Sequence, residues 1–440
     1  MKMRILYVLF YLNFAFCING HAQSKLVGVD YIKALKNVTD IMVNDVTSPV
    51  AASRYYAYIT LASYETMSFF QPEKFISFSG TLNAFTLDKS KVLVDSFDTS
   101  LATILSVYIA GEKFLPSGVQ LHGYIDSLAK VYKKPGNDYY ERSFKYATLM
   151  VEQIVAYAKK DGFSRLSGMQ KYTPKPGPAY WKPTPPVFMA SIEPQWGILR
   201  TFLLDSSSQF KTPAPIVFDT AKKSKFYALT KEVYDFSKHA TKQQQDIAMF
   251  WDCNPFAVQQ IGHVEFGLKK ISPGGHWLGI VGIACTNKKL SFSKTVLAHA
   301  LTSITLADAF IACWQEKYTS DRVRPVTIIQ QLIDPKWQPL LQTPPFPEYV
   351  SGHSVASTAA AIILTKIFGD KFSYIDNTEL EFGLPIRKYS SFTSAAKEAS
   401  ISRLYGGIHF RDAIDQGIWL GDQVGIYSNQ KLSAYINIFK

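Results

Sequence analysis

Almost every long stretch of this sequence spaces its apolar residues three and four apart, and strand-like alternation is scarce. That period puts apolar side chains on one face of a helix, so the core must be built by packing helices on helices. The stretch from Ala51 to Phe70 shows why the packing must be close. Ala-Ala-Ser-Arg-Tyr-Tyr-Ala-Tyr-Ile-Thr-Leu-Ala-Ser-Tyr-Glu sets small and aromatic residues on successive turns. The same period runs through Val29–Asp45, Lys91–Glu112, Gly118–Tyr132, Asn137–Lys160 and Thr220–Trp251. It returns in Leu290–Lys317, Gly352–Phe368, Ser390–Arg403 and His409–Tyr427. The expected class is all-α with bundle-like packing.

The interruptions are readable too. Tyr172–Pro186 is too rich in proline for a helix and should cross the surface extended, with Tyr180 and Trp181 pinning it to the body. Asp252-Cys-Asn-Pro-Phe reads as a helix stop, and Ser272-Pro-Gly-Gly-His-Trp277 as a loop.

Met1–Ala22 has the build of a secretory signal: Lys2 and Arg4, an apolar run from Ile5 to Cys17, and Gly20-His-Ala22 as a cleavage site. A lipid-anchored cysteine at Cys17 is disfavoured by the bulky Phe16 before it. The protein is therefore expected to be secreted or periplasmic. The rest, residues 23–440, reads as a single all-α domain with an N-terminal half to about 220 and a C-terminal half from about 221. With 47% hydrophobic and 19% charged residues it is globular, and no later run of 18 uninterrupted apolar residues suggests a membrane span. Cys253, Cys285 and Cys313 permit at most one disulfide, carry no zinc-binding spacing, and are expected to be buried thiols. The net charge of +12 is scattered along the chain, which does not favour a nucleic-acid partner and suits attraction of small anions.

Against this background, three short segments hold an unusual set of polar residues. They are Lys317-Tyr-Thr-Ser-Asp-Arg-Val-Arg324-Pro325, Phe346-Pro-Glu-Tyr-Val-Ser351-Gly352-His353 and Ser402-Arg403-Leu-Tyr-Gly-Gly-Ile-His409-Phe-Arg-Asp412. A helix opening at Ser351-Gly352 presents free amides and the positive end of its dipole to an anion, and Gly352 lets an oxygen approach its N–H. Ser351 adds a hydroxyl, and His353 stands beside the anion as a general acid or base. Lys317 brings a point charge and Arg324 a planar fork, with Pro325 expected to close the segment. The Gly406-Gly407 turn allows Arg403 and His409 to face the same pocket. Singly, each segment is uninformative; in conjunction they describe a cradle for a tetrahedral oxyanion.

Lys-x6-Arg-Pro, Ser-Gly-His after Pro-x-Tyr, and Ser-Arg-x5-His together resemble the signature of the type 2 phosphatidic acid phosphatase and vanadium-dependent haloperoxidase superfamily. Within it the pattern is most similar to the secreted bacterial iodoperoxidases. Ala51-Ala-Ser-Arg-Tyr-Tyr-Ala-Tyr, Gln195-Trp-Gly, Phe250-Trp-Asp252 and Ala307-Asp-Ala-Phe-Ile-Ala-Cys-Trp314 extend the resemblance over most of the chain. It implies vanadate as cofactor, with Lys317, Arg324, Ser351, Gly352 and Arg403 on its oxygens and His409 as the vanadium ligand. His353 would be the acid–base residue, Asp252 the acid that bonds it, and Trp314 and Phe346 the lining of the halide side. Hydrogen peroxide and halide would be the substrates and a small molecule the final halogen acceptor, with iodide the preferred halide.

Two positions depart from the pattern. The family's acid four residues after the metal histidine is Ala413 here, leaving Asp412 as the nearest substitute and Asp415 as a poorer one. Val323 stands where a tryptophan often precedes Arg-Pro. Because phosphate and vanadate are nearly isosteric, a secreted acid phosphatase with His409 as nucleophile is the enzymatic alternative. A non-catalytic oxyanion-binding protein is the other, although it gives His353 no purpose.

Overall fold

The aromatic stretch around Tyr55 becomes a central helix because both its ends and its faces are provided for. Ser48 caps it by accepting from the Ala51 amide at 3.2 Å, and Pro49 occupies the first turn, where its missing N–H costs nothing. Every residue of this helix, Pro49–Ser68, is buried. The computed structural model describes residues 26–92, 96–261 and 264–440, so the expected export segment Met1–Ala22 lies outside them.

The first half contains α1 (Gly28–Asn44), α2 (Pro49–Ser68), α3 (Thr99–Phe114), α4 (His122–Tyr132) and α5 (Tyr139–Ala158). The second contains α6 (Lys225–His239), α7 (Lys242–Phe250), α8 (Pro273–Asn287), α9 (Phe292–Ser320) and α10 (Pro325–Leu332). It ends with α11 (Gly352–Phe368), α12 (Phe392–Tyr405), α13 (Arg411–Lys431) and α14 (Ser433–Ile436). α2 packs on α3 and α9, while α11 packs on α9, α12 and α13. The all-α expectation holds. Among the described residues, strand is confined to the antiparallel pairs β1 (Val258–Ile261) with β2 (Val264–Gly267), and β3 (Tyr374–Asp376) with β4 (Arg387–Tyr389).

The main hydrophobic core runs from Tyr31 on α1 to Ile436 on α14, and a smaller one gathers around Phe226, Ile329 and Phe410. α9 passes through the main core: by length and composition it could cross a membrane, but its apolar window is wholly buried by neighbouring helices. α13 approaches α11 closely through Gly417, Gly421 and Gly425. A Cβ at Gly421 would stand 2.5 Å from the Val355 carbonyl oxygen.

Three expectations need correction. Ser272–Trp277 is not a loop: Ser272 caps α8 by accepting from Gly275 N at 3.1 Å, and Pro273 takes the first turn. Its glycines signal close packing, because a Cβ at Gly275 would lie 2.8 Å from the Tyr56 hydroxyl. Pro325 opens α10 instead of closing the preceding segment, with Arg324 at the cap position. The run from Thr220 to Trp251 is split in two by a capping box, in which Thr241 Oγ1 accepts from Gln244 N and Gln244 Oε1 accepts from Thr241 N.

The proline-rich segment crosses the surface as expected. Trp181 is buried and its amide donates to the Asp321 carbonyl at 2.8 Å, while Val323 N donates to the Ala179 carbonyl at 3.0 Å. Tyr180 pairs with Arg322 through its backbone and keeps its ring exposed, so Trp181 is the pin.

Candidate active site

The three polar segments meet at one end of the bundle, each delivered by a helix boundary. α9 carries Lys317 in its last turn, Arg324 caps α10, Ser351 caps α11, and Arg403 lies in the last turn of α12. Gly407 has a φ of 76°, the left-handed turn that brings His409 back beside Arg403. Gly352, His353, Arg403 and His409 line a small cavity with Trp314, Phe310, Phe346 and Pro344, and among the described residues no carboxylate lines it. A larger groove of about 1040 Å³, between α1, α8 and the β3–β4 pair, contains none of these residues.

Inside the cavity several donors are left over. Arg324 stands behind the lining residue His409, with Nη1 3.3 Å from its Nε2. Its Nε donates to the Phe346 carbonyl at 2.9 Å and Nη1 to the Ile408 carbonyl at 3.0 Å, but Nη2 is buried without a partner among the described residues. Arg403 Nη1 donates to the Trp251 carbonyl at 2.8 Å while its Nε is likewise orphaned. His353 Nε2 is the third such atom. Buried polar atoms without partners are costly, so three at one cavity mark a place built for a ligand. Ser351 Oγ accepts from the amide and the hydroxyl of Ser354 at 3.3 and 2.9 Å, which leaves its own proton to donate. A Cβ on Gly352 would meet nothing nearer than 3.8 Å, so its absence keeps cavity space open and relieves no clash.

Lys317 differs from the expectation of a free donor. Its ammonium donates to the carbonyls of Pro347, Glu348 and Val350 at 3.0, 3.1 and 2.6 Å, which commits all its protons. Burial, with the neighbouring arginines, lowers its pKa to about 7, against the pull of Cys313 and Glu348. It lies 5.8 Å from the Trp314 ring and 5.1 Å from the Phe346 ring, so charge and aromatic wall are one assembly.

The ring of His409 is oriented unambiguously. Nδ1 lies 2.8 Å from Glu348 Oε1, which can only accept, so Nδ1 carries the proton. Nε2 faces Arg324 Nη1 at 3.3 Å, which can only donate, so Nε2 keeps its lone pair. Burial first, then Arg324, Lys317 and Arg403, holds its pKa well below the usual value. The result is a neutral imidazole with a free nitrogen among cations. Together with the arginines and helix amides it can take a tetrahedral oxyanion, either ligating or attacking its central atom.

Residues 298–438 match the family described as the VCPO second helical-bundle domain. The crystal structure of a bacterial vanadium-dependent iodoperoxidase superposes with a TM-score of 0.86 at 39% identity, covering 92% of this chain and 97% of that one. This chain belongs to the vanadium-dependent haloperoxidases. Two structures of a bacterial vanadium-dependent chloroperoxidase, holo and apo, share the fold at 16% and 15% identity, each with a TM-score of 0.66. The holo form covers 89% of this chain and 93% of its own, the apo form 88% and 95%. No curated protein matches the sequence.

In this haloperoxidase, the support behind His409 was misplaced by sequence reading. Asp412 does not bond it: both its oxygens take Arg322, at 2.6 and 2.8 Å. Arg322 Nε reaches Glu348 Oε2 at 2.6 Å, and Glu348 holds His409 and the Phe410 amide. Asp412 thus acts at two removes. Glu348 lies in the quoted segment itself, beside Tyr349, but its role needs a contact 61 residues away in sequence. Asp252 is also displaced from its expected partner, because its carboxylate pairs with Lys270. The Trp251 carbonyl, one residue before Asp252, favours a proton on His353 against its burial.

Proposed function

We propose that this enzyme binds vanadate and uses hydrogen peroxide to oxidise iodide to a hypohalous equivalent, which passes to a small-molecule acceptor. The donor set supports the cofactor: orphaned Arg324 Nη2 and Arg403 Nε, the free proton of Ser351, and the open approach at Gly352 suit the oxygens of a tetrahedral anion. His409 Nε2, held deprotonated by Glu348 behind it, suits the metal. Bound vanadate would supply the Lewis-acidic centre at which peroxide is activated. Lys317 contributes its charge from within its carbonyl cage. His353, with burial and then Arg403 holding its pKa well below the usual value, has Nε2 free to take the proton that peroxide loses.

The aromatic wall of Trp314 and Phe346, whose ring centroids are 4.9 Å apart, carries the halide assignment. An apolar lining disfavours small, strongly hydrated anions, since desolvation cost falls as ionic radius grows. Iodide is the largest common halide and the easiest to oxidise. Steady-state rates with iodide and bromide at fixed peroxide test this, with kcat/KM expected to be higher for iodide. Equal or greater efficiency with bromide would overturn the assignment. The Met1–Ala22 signal pattern supports action outside the cytoplasm, to be checked by fractionating cells that express the full chain.

A further inference from the structure

Beside the oxyanion cavity, three buried side chains from separate segments converge: Cys253 after α7, His276 in the first turn of α8, and Glu379 after β3. Cys253 Sγ is 3.4 Å from His276 Nδ1 and 3.9 Å from Glu379 Oε1, and the latter two are 3.0 Å apart. A point equidistant from the three donors is about 2 Å from each, near zinc's bond lengths of about 2.0–2.2 Å to nitrogen or oxygen and about 2.3 Å to sulfur. We propose that Cys253, His276 and Glu379 bind a zinc-class divalent cation that fixes the segment beside Arg403.

The surroundings are those of a metal ligand set. Asp376 Oδ2 stands 2.8 Å from His276 Nε2, the carboxylate partner that orients a ligating imidazole. Asp376 is itself anchored by the Thr378 amide at 3.0 Å and hydroxyl at 2.7 Å. The Trp251 ring stacks on His276 with centroids 4.5 Å apart and planes 13° apart, which prevents the ring from rotating away. Cys253 is a free thiol, so its sulfur is open to ligation. Thiolate, imidazole and carboxylate favour zinc over the oxygen-seeking calcium or magnesium.

Burial opposes charge on His276, but Asp376 and Cys253 outweigh it and raise its pKa well above the usual value. A divalent cation competes with that proton for Nδ1 and releases it on binding. The sequence shows no zinc signature because His276 and Glu379 lie 23 and 126 residues from Cys253. The ion would tie α8 and the β3 segment to the chain two residues beyond Trp251, whose carbonyl holds Arg403.

The test uses vanadate-free full chain, so that zinc is counted apart from vanadium. After zinc addition and dialysis against a weak chelator, elemental analysis is expected to give one zinc per chain. Cobalt added instead should give a sulfur-to-cobalt charge-transfer band in the near ultraviolet. Cys253→Ser should abolish the band, and both Cys253→Ser and isosteric Glu379→Gln should lose zinc at least tenfold more readily. If Cys253→Ser does not fold, Glu379→Gln carries the comparison. Wild-type protein that retains neither metal, or a folded variant that retains as much as wild type, overturns the proposal.

Discussion

At the residue scale, the group that stands behind each cavity side chain decides what that side chain can do. Glu348 fixes the tautomer of His409, so Glu348→Gln should weaken vanadate binding roughly 10- to 100-fold, the usual cost of losing a ligand's carboxylate partner. Asp412→Asn should weaken it less, because Arg322 keeps Glu348. Vanadate titration of both variants checks the order, and an equal loss would return Asp412 to the role first expected of it. Arg403→Ala removes an orphaned, charge-assisted donor and should cost about 1.5–3 kcal/mol of vanadate affinity, read from the same titration. His409→Ala should abolish binding, whereas His353→Ala should spare binding and slow turnover. Loss of vanadate from His353→Ala alone would reverse the two assignments. The sequence exposed Arg324, Ser351, Gly352, His353, Arg403 and His409 because type and order betray them, but not Phe310 or Pro344, which are ordinary apolar residues until the fold brings them to the cavity. It did not expose Glu348 or the Trp251 carbonyl, because one needs a fold-level contact and the other is backbone.

At the element scale, what was legible depended on whether helix signals stood clear of other meanings. α11 was read with its exact ends because Ser351, Gly369 and a run of small residues all agree. α8 was missed because Pro-Gly-Gly reads as a turn when the close approach of Tyr56 cannot be seen. α10 was missed because it is 8 residues long and opens on proline. The glycines of α13 make the complementary point. Gly421→Ala would force a Cβ to within 2.5 Å of the Val355 carbonyl, so α13 must shift off α11. The expected loss is about 1–3 kcal/mol, measured by urea unfolding, with vanadate retention falling because α11 carries Ser351 and Gly352. Unchanged stability would show that the two helices separate without strain.

At the scale of the whole molecule, buried ionisable groups make stability depend on pH. Burial lowers His299 to about 4 despite its bond to the Thr295 carbonyl, and raises Glu65 to about 7 and Asp308 to about 6 despite their hydrogen bonds. His299 contributes stability that is full above its ordinary value of 6.5 and lost as pH falls through about 4. The two carboxyls act oppositely, contributing most below their ordinary values of 4.5 and 3.8 and losing that contribution as pH rises through about 6 to 7. His299→Gln should therefore flatten the acid limb of stability by about 3 kcal/mol between pH 6.5 and 4, seen by unfolding across that range.

All of this scaffolding converges on one cavity, and vanadate is expected to turn it into a halide-oxidising site. Protein freed of vanadate should form no triiodide from iodide and peroxide, and addition of orthovanadate should restore formation to saturation. Contradiction would be an absence of any vanadate-dependent triiodide signal together with phosphomonoester hydrolysis that vanadate inhibits.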